Sequence, residues 1–195
     1  MKRVFDFFFA MIGLILLCPL FLLISIWIVF DSKGGVFFLQ SRVGKDSKDF
    51  KLFKFRTMVS GAAGKGLLTV GSRDSRITRS GYYLRKYKLD ELPQLINVLI
   101  GTMSFVGPRP EVRKYTDLYD ETQQKVLSVK PGITDYASIE YVDENEILGK
   151  AENPEKMYIE EIMPAKLKLN LLYIENPGLL TDLKIIIQTL IRIIR

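Results

Sequence analysis

The chain has 195 residues, one cysteine and no histidine, and 48% of its residues are apolar. This composition excludes a disulfide framework, histidine-ligated metal sites and Ser-His-Asp or Cys-His catalysis. Acid–base or nucleophilic chemistry therefore falls to carboxylates, Lys, Tyr, Ser or Thr. Residues 1–100 hold 16 Lys and Arg against 7 Asp and Glu, whereas residues 101–195 hold 12 against 15. The basic half predicts an anionic partner: phosphate, anionic lipid or nucleic acid.

The first thirty residues predict a membrane segment. Residues 7–30 are 24 residues without a charge, and a helix of this length reaches ~36 Å, enough to cross a ~30 Å hydrocarbon layer. Pro19 lies at its centre, and Lys and Arg residues flank both ends, which favours the cytoplasmic side for both. A re-entrant helix that breaks at Cys18 and Pro19 fits both features. A kinked spanning anchor fits the pattern equally well, because membrane helices tolerate proline.

A small β-hairpin is predicted next. Residues 36–42 and 50–58 have the composition of two strands around a polar turn. Apolar and basic residues nearly alternate in the second strand, which places Lys54 and Arg56 on one face. A half-exposed strand with a solvated basic side gives the same pattern.

The rest of the chain predicts helices joined by loops. Helices are expected over residues 78–87, 93–100, 111–129 and 153–175, and loops over residues 59–74 and 101–110. Pro164 is expected to kink or divide the last of these helices.

The C-terminal segment carries apolar residues at i, i+3, i+4 and i+7 spacing from Leu179 to Ile194. A buried core helix gives the same stripe, but the basic end of the segment favours a helix that lies in a membrane interface. The fold class predicted is α+β: a mostly helical compact domain with a small β-hairpin and a C-terminal interfacial amphipathic helix. The predicted division is a membrane helix, re-entrant or spanning, over residues 1–32 and a cytosolic-face domain with interfacial helices over residues 33–195, which would carry any catalytic site.

The densest cluster of charged residues lies within residues 85–93. Two adjacent carboxylates, Asp90 and Glu91, stand beside three cations and before a helix that opens with Pro93. A helix N-terminus attracts anions, so a carboxylate here can attack phosphorus or hold Mg²⁺ against phosphate oxygens. Alternatively, one of the two acids simply caps the helix. Adjacent helical residues do not share a face, so separate roles are expected for them.

A second candidate phosphate contact is Arg109, which is displayed by the rigid turn Gly107-Pro108-Arg109-Pro110. Arginine binds phosphate with two parallel hydrogen bonds. A solvated surface arginine is the alternative.

Five motifs in series resemble the bacterial sugar transferase family, the small monotopic phosphoglycosyl transferases. They are Lys-Arg-Val-Phe-Asp at 2–6, Lys-Phe-Arg-Thr-Met at 54–58, Leu-Asp-Glu-Leu-Pro-Gln at 89–94, Met-Ser-Phe-Val-Gly-Pro-Arg-Pro-Glu at 103–111 and Lys-Pro-Gly-Ile-Thr at 130–134. The resemblance implies transfer of a sugar 1-phosphate from a nucleotide diphosphate sugar, usually a UDP-sugar, to polyprenol phosphate, with release of UMP. This is a first membrane step of bacterial polysaccharide and glycoconjugate assembly, expected on the cytoplasmic face of the inner membrane.

The resemblance also implies roles for individual residues. Asp90 becomes the nucleophile of a covalent phosphosugar intermediate and a contact of the Mg²⁺ cofactor, and Glu91 becomes its partner and a candidate base. Arg85 and Arg109 are implied to be phosphate-binding groups, and Lys54 and Arg56 are implied to bind the substrate phosphates from a basic strand motif. Cys18 and Pro19 are implied to mark the helix break. The expected partners are both substrates and membrane lipids but not nucleic acid, and a homodimer is left open.

Two departures from the family pattern stand out. Cys18 occupies a position that is often serine in relatives, and a thiol is a weaker hydrogen-bond partner. Residues 135–141 read Asp-Tyr-Ala-Ser-Ile-Glu-Tyr where many relatives have Gly-Trp-Ala-Gln-Val-Asn-Gly. The second departure bears on nucleotide or sugar preference rather than on the acid pair.

Two other functions fit parts of the sequence. A membrane-tethered module without enzymatic activity would bind nucleic acid or anionic lipid through the basic half, with salt-sensitive affinity. A hydrolase would split nucleotide sugars without a lipid acceptor.

Overall fold

The computed structural model describes residues 2–62 and 74–194. Its helices are α1 (Lys2–Asp31), α2 (Arg79–Lys86), α3 (Gln94–Ile100), α4 (Arg113–Thr116), α5 (Tyr136–Glu140), α6 (Glu144–Gly149), α7 (Pro154–Met157), α8 (Met163–Glu175) and α9 (Leu179–Ile194). Its strands are β1 (Phe37–Val43), β2 (Asp49–Phe55), β3 (Ser104–Val106) and β4 (Gly132–Thr134). Three 3₁₀ turns cover Lys45–Ser47, Leu89–Glu91 and Gln123–Ser128, and a π-helical turn over Tyr158–Ile162 joins α7 to α8. The protein thus mixes helix and strand, with helix predominating.

The N-terminal helix α1 is long and apolar enough to cross a membrane, and most of its residues are exposed. It continues through Pro19, so the predicted break at Cys18 and Pro19 does not divide it into two helices. Proline removes one backbone donor, and the residues on either side remain helical. The inner face of α1 packs on the rest of the protein through Ala10, Ile24 and Ile28.

The predicted hairpin is confirmed. Strands β1 and β2 are antiparallel, and Phe37 pairs with Phe55 at the open end. The second strand ends at Phe55 rather than at residue 58, although the amide of Arg56 still donates to the carbonyl of Val36 (2.8 Å). The hairpin therefore delivers Lys54 from the strand itself and Arg56 from the residue after it.

A second sheet was not predicted. Residues 101–110, expected to be loop, contain β3, which pairs in parallel with β4. The backbones approach very closely just after this pairing, because a Cβ on Gly132 would overlap the backbone nitrogen of Gly107. This contact fixes the position of the turn that carries Arg109.

The helix predictions are confirmed in part. The predicted helices over 78–87 and 93–100 appear as α2 and α3. The helix expected over 111–129 was wrong, because α4 ends at Thr116 and the side chain of Asp120 accepts from the amides of Thr122 and Gln123 (both 2.8 Å). Such a local side-chain bond competes with helix formation.

The segment predicted over 153–175 is helical, and Pro164 does not divide it. Pro164 lies in the first turn of α8, where its missing donor costs little, and the π-helical turn comes before it. The loop predicted over 59–74 lies mostly outside the described residues.

The C-terminal helix α9 turns its apolar stripe outward. Ile185 and Asp182 are its buried residues, whereas Leu180, Leu183 and Ile187 are exposed. The stripe therefore does not belong to the protein core, and this helix is not an ordinary core helix.

Candidate active site

A cleft of about 490 Å³ opens between the hairpin, the 3₁₀ turn Leu89–Glu91 and the turn before α4. All six polar residues that the sequence nominated line it: Lys54, Arg56, Arg85, Asp90, Glu91 and Arg109. Cys18 and Pro19 lie elsewhere, in the middle of α1, and Cys18 is exposed. The structure therefore brings together residues from four separate segments of the chain.

The 3₁₀ turn presents Asp90 and Glu91 to this cleft. Lys88, just before the turn, has a left-handed backbone (φ 55°), which is uncommon for a residue other than glycine. Neither acid caps α3, because Pro93 occupies the cap position and no side chain bonds there. The interpretation of the acid pair as a simple helix cap therefore does not apply.

Glu91 is held by two cations. Both terminal guanidinium nitrogens of Arg109 donate to the carboxylate of Glu91. The Lys54 ammonium lies 3.0 Å from Oε1 of the same carboxylate. Burial alone would raise the pKa of Glu91, but Arg109 and Lys54 outweigh burial and hold that pKa well below its usual range. The low pKa favours the ionised form of Glu91, and the two cations fix its position.

Asp90 is buried, with 7% of its surface exposed, and is left without such partners. Within residues 2–62 and 74–194 its carboxylate makes no hydrogen bond or ion pair. Burial, assisted by the charge of Glu91, raises the pKa of Asp90, and Lys54, Arg85 and Lys88 oppose that shift. A desolvated carboxylate that faces cations without being bound by them is suited to nucleophilic attack on a phosphate.

The two remaining arginines differ in their surroundings. Arg85 lines the cleft and forms no ion pair with any residue in the described part of the chain. Arg56 instead turns toward the end of α1, where its guanidinium donates to the carbonyls of Ser32 (2.7 Å) and Lys33. These contacts tie α1 to the hairpin, and a phosphate-binding role for Arg56 stays a prediction.

Asp135 is a site residue that sequence reasoning missed. It is fully buried, and its carboxylate accepts from the amide of Arg109 (3.0 Å) and from that of Ser138 (2.6 Å). Asp135 therefore caps α5 and fixes the Arg109 turn at the same time. An aspartate immediately before a short helix is the sequence signal that could have identified Asp135 as a cap.

Magnesium has one carboxylate available in the cleft. Among the residues described, no cluster of three or more Cys, Asp or Glu could hold a metal by itself. Glu91 is paired with Arg109 and Lys54, and Glu111 is paired with Arg42 and Tyr158. Glu144, which also lines the cleft, is paired with Lys166, which leaves Asp90. Because Mg²⁺ is commonly bound by one or two carboxylates together with substrate phosphates, this donor set fits it.

The fold and the cleft combine a helix long and apolar enough to cross a membrane with an acid pair set among cations, an arrangement suited to phosphate chemistry. The whole chain, residues 1–195, matches the bacterial sugar transferase family, and the protein belongs to that family.

Three relatives show the kinds of protein to which the chain is similar. The chain is 36% identical over 192 residues to a UDP-N-acetylgalactosamine-undecaprenyl-phosphate N-acetylgalactosaminephosphotransferase of Aeromonas hydrophila, covering 97% of this chain and 42% of the relative. It is 36% identical over 197 residues to a UDP-glucose:undecaprenyl-phosphate glucose-1-phosphate transferase of Xanthomonas campestris pv. campestris, covering 99% and 38%. It is 35% identical over 199 residues to the exopolysaccharide production protein PSS of Rhizobium leguminosarum bv. phaseoli, covering 98% and 94%. The chain thus spans about two fifths of the first two relatives.

Proposed function

We propose that this protein transfers a sugar 1-phosphate from a UDP-sugar to a polyprenol phosphate and releases UMP. The observation that carries the proposal is the contrast within the acid pair: Asp90 is buried without a bound partner, whereas Glu91 is fixed by Arg109 and Lys54. The names of the first two relatives include undecaprenyl phosphate, which supports the same acceptor class for this protein.

In the first step, a carboxylate oxygen of Asp90 attacks the phosphorus that bears the sugar. The bond from this phosphorus to the bridging oxygen breaks, and its electron pair leaves with UMP. Arg85 and Arg109 offset the negative charge of the diphosphate, so that an anionic nucleophile can approach it. Asp90 would be the protein residue that holds Mg²⁺, and the ion would supply further positive charge for the phosphates.

In the second step, a phosphate oxygen of the acceptor attacks the same phosphorus. The bond to Asp90 breaks, and the carboxylate is restored as the lipid diphosphate sugar forms. A covalent intermediate allows UMP to leave before the acceptor attacks. Because its pKa is held well below the usual range, Glu91 is a poor base, and we assign it the task of positioning Arg109 and Lys54.

Contacts at the two ends of α1 support the proposed membrane placement. At its start, Arg3 donates to the carbonyl of Leu99 in α3 (2.7 Å). At its end, Asp31 accepts from the amide and hydroxyl of Ser80 in α2 (2.9 and 2.8 Å). Both ends of this continuous helix thus bind the same domain, which supports the prediction that both face the cytoplasm. The outward apolar stripe of α9 supports a second contact in the interface.

Cysteine labelling tests this topology. Single cysteines placed at Val4 and at Ser32, in a Cys18→Ser background, are both expected to react only from the cytoplasmic side. Labelling of the two positions from opposite sides would show that α1 spans the membrane.

The chemical test uses donor alone. Incubation with a UDP-sugar is expected to give UMP and a phosphosugar adduct that mass spectrometry locates on Asp90. Asp90→Asn should lower turnover by at least ~10⁴-fold, whereas Asp117→Asn, at an exposed aspartate outside the cleft, should not change it. Full activity of Asp90→Asn would refute the assignment, and sugar release without an acceptor would indicate a hydrolase.

A further inference from the structure

A second cavity, of about 310 Å³, adjoins the active-site cleft. We call it the apolar groove. Its walls come from α3, β4, α5 and α9, and its apolar lining includes Leu92, Leu95, Ile133, Ile139, Ile186 and Leu190. Lys88, Glu91 and Arg109 line both this groove and the cleft. The groove is therefore continuous with the candidate active site.

The other end of the apolar groove reaches the outer surface of α9. Leu190 lines the groove and is also 56% exposed, next to the outward stripe that includes Ile187. An apolar channel that begins at a membrane-facing helix and ends among cations is complementary to an amphiphile with a hydrocarbon tail and an anionic head.

Two polar groups at the groove have no partner of their own. Within the described residues, the Lys88 ammonium makes no hydrogen bond or ion pair, although it lies where the groove meets the cleft. The hydroxyl of Ser138 lines the groove, is buried and has no hydrogen-bond partner. The Ser138 hydroxyl is buried, and buried polar groups are normally satisfied, so it points to a ligand that brings oxygen atoms. The half-buried Lys88 ammonium supplies a positive charge for the same ligand.

We propose that the apolar groove binds the first isoprenoid units of the polyprenol phosphate acceptor and that Lys88 binds the acceptor's phosphate. This inference rests on the proposed function and adds the place from which the acceptor attacks. The acceptor phosphate then lies on the side of Asp90 that adjoins the groove, and the donor occupies the larger cleft. Lys88 becomes a catalytic residue of the second step, because it touches the attacking phosphate.

The experiment separates the two steps of transfer. Leu190→Gln makes the groove polar at an exposed position, and Ile187→Gln is its matched control, because Ile187 is equally exposed on the same helix but lies outside the groove. Leu190→Gln is expected to raise the KM for a long-chain polyprenyl phosphate about 10-fold. Its effect on adduct formation from donor alone should be smaller. Ile187→Gln makes the same change in the outward stripe of α9 but outside the groove, so it should raise that KM much less.

The lysine is tested in the same way. Lys88→Gln is expected to slow transfer from the trapped adduct to the acceptor about 10-fold or more, with a smaller effect on adduct formation. Lys86→Gln is the matched control, because Lys86 is exposed and lines neither cavity.

Three results would overturn the inference. Equal KM values for Leu190→Gln and Ile187→Gln would exclude the groove, and an equal loss in both steps for Lys88→Gln would assign this lysine to the donor. Competition by an ordinary anionic phospholipid as strong as that by polyprenyl phosphate would make the groove a general lipid site. A wild-type protein that forms no adduct and transfers nothing would instead refute the proposed function itself.

Discussion

The ion pair between Arg109 and Glu91 yields a prediction with a definite magnitude. Arg109→Ala removes two donors from a largely buried carboxylate and leaves it with Lys54 alone. Breaking a buried pair from one side costs about 3–5 kcal/mol. The side chain of Arg109 is 32% exposed and Lys54 remains, so we expect a loss of about 2–3 kcal/mol in the free energy of unfolding.

Thermal unfolding in detergent micelles measures this loss. For a chain of this size, a change of 1 kcal/mol shifts Tm by about 2–4 °C, so Arg109→Ala should unfold about 5–10 °C below the wild type. The matched control is Arg113→Ala. Arg113 pairs with Asp49 at 2.7 Å, but both side chains are well exposed, and less than about 1 kcal/mol is expected.

A double variant tests the physical reason. Arg109→Ala combined with Glu91→Gln removes the unpaired charge together with its partner, so the double variant should be more stable than the sum of the single effects predicts. The reasoning is refuted if Arg109→Ala is as stable as the Arg113→Ala control or if the two changes are additive. Either result would mean that Arg109 serves the substrate alone and does not hold Glu91.

Three further predictions concern the same domain. Burial raises the pKa of Asp90, and Arg85 opposes this, so Arg85→Ala should move the acid limb of the pH–rate profile of adduct formation to higher pH; an unmoved limb would contradict this. Arg56→Ala should lower the free energy of unfolding by about 3 kcal/mol, because it removes charge-assisted bonds to the end of α1. Chemical denaturation measures this loss, and an unchanged midpoint with lost activity would favour phosphate binding instead. Gly132→Ala should destabilise the fold by several kcal/mol, since its Cβ has no room. Gly178→Ala should be tolerated in the same denaturation assay, because its Cβ would make only an ordinary contact with the Thr181 hydroxyl (3.8 Å).

Features that depend on neighbouring residues were predictable from the sequence. The hairpin has alternating strands and a polar turn, and α2 and α3 have a capping threonine and an opening proline, respectively. The five motifs also contain five of the six candidate polar residues that line the cleft, and Arg85 lies just before the third motif. The sequence could not show which of these residues pair with one another, because the pairing of Glu91 with Arg109 joins positions 18 residues apart.

Features that depend on distant segments were missed. Strands β3 and β4 have three residues each, too short for a periodic signal, and their parallel pairing depends on the close approach of Gly107 and Gly132. Asp135 accepts from the amide of Arg109 and so holds the turn that follows Gly107. It lies in a segment whose sequence departs from the family pattern. The hairpin suggested that Lys54 and Arg56 act together, but Arg56 binds the end of α1, a partner about 24 residues away.

The different surroundings of Asp90 and Glu91 explain how adjacent acids can serve one reaction. If both were free, their mutual repulsion and burial would keep one of them protonated. Arg109 and Lys54 remove this conflict by holding Glu91 ionised and in place. The charge of Glu91 in turn occupies those two cations, which would otherwise bind Asp90 and reduce its reactivity. Arg85 and Lys88 then keep Asp90 able to ionise without bonding to it, because they act through charge alone. A nucleophile for phosphorus needs this combination of little hydration and no ion-pair partner within the protein, and it is Glu91, the acid that does not react, that maintains it.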